Sequence, residues 1–270
     1  EQTLDQAHPL LNRLMFLCIF SSNLDEFFEV RVAELKKQLA FSREIPGPDG
    51  SPPAEVLEQI HNLVTHTVER QYNILNEQLF PQLEEENIRF IRRADWTTKQ
   101  KNHPFPRLVN KSLNFIVELD GKDAFGRNTG LALIPAPRSL PRIVRFPDEI
   151  CESGDNYVFL SSMIHEFASE LFPGMKVKGC YQFRLTRNAD LTFDKEDMAD
   201  LASALEGELH ERDFGDAVRL EVAHNCPPAL WQFLLDKFNL TEQDLYCVNG
   251  LVNVHRLMAV AAGADRPELR

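Results

Sequence analysis

Glycine is scarce in this chain, with 12 residues in 270. Neither Gly-x-x-x-x-Gly-Lys-Ser/Thr nor Gly-x-Gly-x-x-Gly occurs, so the usual phosphate-cradling loops are excluded. No Gly-x-Ser-x-Gly frame surrounds Ser161-Ser162, which argues against a serine hydrolase. The five cysteines, Cys18, Cys151, Cys180, Cys226 and Cys247, fall at no metal-ligand spacing, which excludes a zinc module. Their odd number reads as reduced thiols of a cytoplasmic protein. No signal peptide is visible, although the first residue is not Met. The apolar run Leu10 to Phe20 is interrupted by Asn12 and Arg13 and falls short of the roughly 20 residues a membrane helix needs. Basic groups are outnumbered 29 to 41, for a net charge of −12, which argues against general nucleic-acid binding.

What the chain does have, at its start, is helical periodicity. Residues 1–20 read as one helix. A second is expected from Leu24 to Ser42, because Leu24, Phe28, Val32, Leu35 and Leu39 share one face. Ser22 or Asn23 is its natural N-cap, with Glu26 completing a capping-box variant. Asp25, Glu26 and Glu29 then lie in the first turns, where the helix dipole favours negative charge. A loop rich in proline and glycine, Pro46 to Pro53, precedes a long amphipathic helix carrying Val56, Ile60, Leu63, Tyr72, Leu75 and Leu79. Pro81 is expected to kink or end it. Three long helices imply a small bundle over 1–102.

The period changes after Leu108. Leu113, Phe115, Val117 and Leu119 alternate as a half-buried strand does, and 130–135, 142–146, 157–160, 177–186 and 217–222 read as further strands. Helices are expected over 163–172, 195–212 and 228–238. The fold class is α+β multidomain: a helical bundle, 1–102, followed by an α+β domain, 103–270, with a mainly antiparallel sheet.

No histidine pair points to chemistry. His61 and His66 diverge on a helix, and Glu206 with His210 reads as an exposed salt bridge rather than a metal site. Asp25, Glu26 and Glu29 are weighed as ligands of a divalent ion, but the dipole reading is stronger, so no metal site is assigned. Arg31 is expected to pair with Glu34 or an inter-domain carboxylate. Arg138, Arg142 and Arg145, with Arg184 and Arg187, read either as a solvated strand face or as a local anion patch, the former favoured.

Two motifs carry a resemblance. Pro9-Leu10-Leu11-x-Arg13-Leu14-x-Phe16-Leu17 is followed by Ser22-Asn23-Leu24-Asp25-Glu26-Phe27-Phe28-x-Val30-Arg31-Val32-Ala33-x-Leu35-Lys36. Together they resemble the amino-terminal region of bacterial polyphosphate kinases. Weaker matches continue through 102–114, Tyr181–Thr186, Ala217–Val222 and Tyr246–Gly250. The resemblance implies reversible transfer of the terminal phosphate of ATP to polyphosphate through a phosphohistidine, with Mg2+ as cofactor. It assigns Asn23 to contact the purine of ATP. It places the catalytic histidine and the phosphate-binding arginines in carboxy-terminal domains beyond this chain, so no catalytic residue is assigned here. It also implies a homodimer or homotetramer through the second, "head" domain. The location implied is cytoplasmic, at most peripheral at the inner membrane. Against the family pattern, residues are expected to be missing before residue 1 and near Lys101. The alternative is a stand-alone interaction or dimerisation module without nucleotide chemistry.

Overall fold

The computed structural model describes residues 2–41, 50–92, 113–122, 130–136, 141–147, 154–188, 216–264 and 266–270. The expected helix 195–212, Arg138, Cys151 and the Glu206–His210 pair lie outside them.

The first two expected helices are one rod. Helix α1 (Leu10–Phe27) opens after Pro9, passes through one π-helical turn, Phe28–Val32, and continues as α2 (Ala33–Ala40). The cap assigned to Ser22 or Asn23 is therefore not formed, and Asp25, Glu26 and Glu29 sit mid-rod rather than in a first turn. The reason is burial on both sides of that point. Leu11, Leu14, Leu17 and Cys18 are enclosed before it, and Phe28, Val32 and Ala33 after it. A break would strand one of these groups, and tertiary burial outweighs a cap worth about 1 kcal/mol. The π turn itself carries Phe28 and Val32 into the core.

Helix α3 (Pro53–Ile74) passes through a second π turn, Leu75–Leu79, into α4 (Phe80–Glu85). Pro81 thus neither ends the helix nor breaks it. The π turn lies where the proline ring meets the preceding turn, and it relieves the clash that an α-helical ladder would impose.

Among the described residues the strands form two sheets. In the smaller, β1 (Ile88–Phe90) pairs in parallel with β5 (Asp155–Phe159), which pairs antiparallel with β4 (Ile143–Arg145). Gly154 opens β5 at φ +113°, and a Cβ there would stand 2.8 Å from the Asn87 carbonyl oxygen, so this close entry requires glycine. The larger sheet consists of β2 (Leu113–Asp120), β3 (Leu131–Ala136), β6 (Lys176–Arg187), β7 (Ala217–Ala223) and β8 (Leu245–Val248), in the order β3-β2-β6-β7-β8. Among its described pairings only β7–β8 is parallel. The architecture is a helical region followed by a mixed, mainly antiparallel α+β region.

Helix α5 (Leu160–Phe167) follows β5, α6 (Pro228–Lys237) follows β7, and α7 (Met258–Gly263) comes after β8. Leu230, Leu234 and Leu235 of α6 cover Ile116, Phe183, Leu220 and Val222 on one face of the larger sheet. The other face joins the helical rods in a core running from Leu11 through Phe115 to Ala264. Hydrogen bonds tie the layers: Tyr72 Oη donates to the Leu251 carbonyl at 2.6 Å, and Asn76 Nδ2 to that of Asn249 at 2.8 Å. Lys36 pairs with Asp244 at 2.6 Å.

Candidate functional site

The centre of the first rod has two opposite characters. Asn23 is exposed, with helix before and after it. Ile19, Asn23, Phe27 and Val30 recur at helical spacing, so they share one face. Ile19 and Val30 are 40% and 49% exposed, and neighbouring Phe20 is 36% exposed. Asn23 thus presents one amide, a donor and an acceptor together, from an apolar strip.

Asp25, two residues on, points the other way. Its Oδ2 accepts from Arg184 Nη2 at 2.5 Å and its Oδ1 from Arg219 Nη1 at 3.4 Å. The same two arginines hold Glu221: Arg184 Nη1 donates to Oε2 at 3.1 Å, and Arg219 Nη2 to Oε1 at 3.0 Å. The result is a closed ring of two cations and two anions. Strand register builds its floor, since Arg184 on β6 lies opposite Glu221 on β7 and Arg219 precedes Glu221 by two on the same face. The Arg219 guanidinium also stacks over the rings of Phe28, at 4.8 Å, and Tyr246, at 5.0 Å.

The ring is sheltered. Arg219 and Glu221 side chains are 3% and 6% exposed. Burial pulls the Arg184 guanidinium down, but Glu221 and Asp25 more than reverse this, so its net shift is upward and it stays charged. Glu29, one turn along the rod, is raised by burial and by Asp25, against the opposing pull of Arg184. Burial likewise pushes the Tyr72 phenol up.

Asp25 is therefore an ion-pair residue spanning two layers, not a dipole-turn acid. Arg31 is exposed. The arginine patch is divided. Arg142 and Arg184 line one narrow cleft with Ser161, Asn253 and Arg256, whereas Arg145 pairs with Asp155 at 2.9 Å and Arg187 lies over Phe238. Among the described residues no three His, Cys, Asp or Glu side chains gather to hold a metal ion. His61 packs on Tyr246 and binds the Gln243 carbonyl at 2.7 Å, while His66 lies beside Glu69. Cys18, Cys180 and Cys226 are buried and Cys247 is exposed; burial raises Cys18 and Cys226 to about 12. No helix among the described residues is long and apolar enough to cross a membrane. Arg219 and Glu221 were not legible as site residues. The one local signal is two charges bracketing Leu220 on a single strand face.

Family models match most of the chain: a polyphosphate kinase N-terminal domain over residues 1–91 and a polyphosphate kinase middle domain over 96–260. The chain belongs to the polyphosphate kinase family. Among curated members, the polyphosphate kinase of Pseudomonas syringae pv. tomato is 58% identical over 292 residues, covering all of this chain and 40% of that protein. That of Neisseria meningitidis serogroup C is 48% identical over 291 residues, again covering all of this chain and 42% of the relative. The chain thus spans about two fifths of the length of these polyphosphate kinases. Both alignments are longer than the chain's 270 residues, so the relatives carry positions with no counterpart here. The crystal structure of polyphosphate kinase from Porphyromonas gingivalis shares the fold at a TM-score of 0.69 and 23% identity, over 98% of this chain and 39% of that one.

Proposed function

We propose that this chain is the amino-terminal part of an enzyme transferring the terminal phosphate of ATP, reversibly, to inorganic polyphosphate, and that Asn23 seats the adenine. The observation that carries this reading is the exposed amide of Asn23 on an uninterrupted helix. A cap would explain an asparagine at a helix start, but mid-helix asparagine is unfavourable by about 0.5 kcal/mol against alanine. Its donor–acceptor pair matches the N6/N7 edge of adenine, and the flanking Ile19, Phe20 and Val30 offer apolar surface to a purine face.

In this reading residues 1–102 form the adenine side of the ATP site and 103–270 a head domain that carries the contacts of a homodimer or homotetramer. Phosphate handling, with Mg2+ and a phosphohistidine, belongs to sequence outside these two regions. The 270 residues alone make no polyphosphate and hold ATP at best weakly. The protein works in the cytoplasm.

The test is Asn23→Ala in the native polypeptide that carries this chain. One lost bidentate contact, about 1–3 kcal/mol, raises the KM for ATP roughly tenfold while the protein stays folded. An unchanged KM would remove Asn23 from the site. The exposed strip of Ile19, Phe20 and Val30 also suits a second reading, a docking face without nucleotide chemistry. There Asn23→Ala leaves ATP use unchanged and alters assembly.

A further inference from the structure

The ring of Asp25, Arg184, Arg219 and Glu221 is an expensive way to glue two layers together. A buried ion cluster gains little over well-packed apolar side chains, because desolvation offsets the Coulomb attraction. What it supplies is direction. Both carboxylate oxygens of Asp25 are engaged, one by each arginine, so the carboxylate plane is fixed. Each arginine is in turn held by Glu221, on the neighbouring strand for Arg184 and on its own for Arg219. Phe28, three residues along the rod from Asp25, lies under the Arg219 guanidinium. Two successive inward groups of the rod therefore meet the same side chain, which sets both the roll and the height of the helix against the sheet.

That constraint falls on Asn23. Residues two apart on an α-helix project about 200° from each other. An Asp25 held inward by two arginines holds Asn23 outward, and a small roll of the rod would swing the amide along the surface. Amide pairing with a base edge tolerates little such displacement, since two hydrogen bonds must be aligned together.

We propose that Asp25 is a positioning residue for the nucleotide seat, acting through Arg184 and Arg219, so that adenine preference depends on two arginines of the sheet. The proposal rests on the reading of Asn23 given above. It also makes the seat a composite of the helical and α+β regions.

The experiment is a double-mutant cycle in the native polypeptide that carries this chain, reading equilibrium binding of ATP and of GTP. Asn23→Ala lowers the preference for ATP over GTP about tenfold. Asp25→Asn, which keeps size and loses charge, lowers it by a similar factor. The double variant loses no more than either single one, because both act through the same amide. If Asn23→Ala leaves the preference unchanged, the reading of Asn23 fails, and the positioning role with it. If Asn23→Ala abolishes the preference but Asp25→Asn lowers only thermal stability, Asp25 is merely structural and the proposal is overturned. Additive losses in the double variant overturn it too. Should Asp25→Asn not fold, Arg184→Lys keeps the charge and loses the two-pronged geometry. It is expected to weaken the preference several-fold in the wild-type background and not at all in the Asn23→Ala background; the same loss in both backgrounds would overturn the proposal.

Discussion

The inner and outer faces of the first rod follow different rules. Inward, every group has an occupation: Leu14 and Cys18 are fully enclosed, Phe28 lies beneath a guanidinium, and Asp25 holds two arginines. Outward, Ile19, Phe20, Asn23 and Val30 meet solvent. The inner face explains why the rod exists and why it does not stop at Ser22-Asn23. Ile19, Phe20 and Val30 lie outside the packed core, and apolar side chains are poor choices for a solvated surface. Residues that folding does not require are the ones to assign to function.

That contrast is broken most severely at the ring. Arg184→Ala leaves Asp25 and Glu221 short of a cation in a sheltered site and is expected to cost about 3–5 kcal/mol in urea unfolding. A loss below 1 kcal/mol would mean the ring is solvated. Leu14→Ala, at a fully buried position, tests the apolar part of the same face and should cost about 3 kcal/mol. On the outer face the sign reverses. Asn23→Ala should stabilise the protein by about 0.5 kcal/mol, since alanine is the better helix former there. A loss of about 1 kcal/mol would restore Asn23 as a helix cap.

The smallest effect lies between the two faces, at Glu29. Its folded pKa is raised above the ordinary 4.5. The folded state then holds the proton more tightly than the unfolded one, so this group's stabilising contribution is complete below 4.5 and lost as pH rises through the folded value. Glu29→Gln should slightly raise the melting temperature at pH 7 and give no gain near pH 4. A melting-temperature gain of equal size at both pH values would assign the effect to something other than this carboxyl.

Much of this was legible in the sequence. Alternation placed β2, β6 and β7 to within a few residues, because each carries its pattern locally. The Asn-Leu-Asp-Glu-Phe motif identified the family. The continuous rod was not legible, because Ser22-Asn23 with Glu26 is a good cap by every local criterion and only tertiary burial overrides it. The π turns were hidden as well, because no local residue pattern distinguishes them from the α-helix on either side. The parallel pairing of Ile88–Phe90 with β5 and the joining of Asp25 to Arg184 and Arg219 link residues far apart in sequence, and no local spacing encodes such a contact. Arg184 read as a solvated strand face because its carboxylate partner on the rod was itself assigned to a helix terminus.

The most direct measurement follows the side-chain amide of Asn23 by nuclear magnetic resonance in the native polypeptide that carries this chain while ATP is added. The account predicts that its two proton signals shift and saturate with ATP, move far less with GTP, and do so without change in the Cys18 and Leu14 environment of the inner face. Signals that stay fixed at millimolar ATP, with the chain folded, would contradict the assignment of Asn23 to the nucleotide.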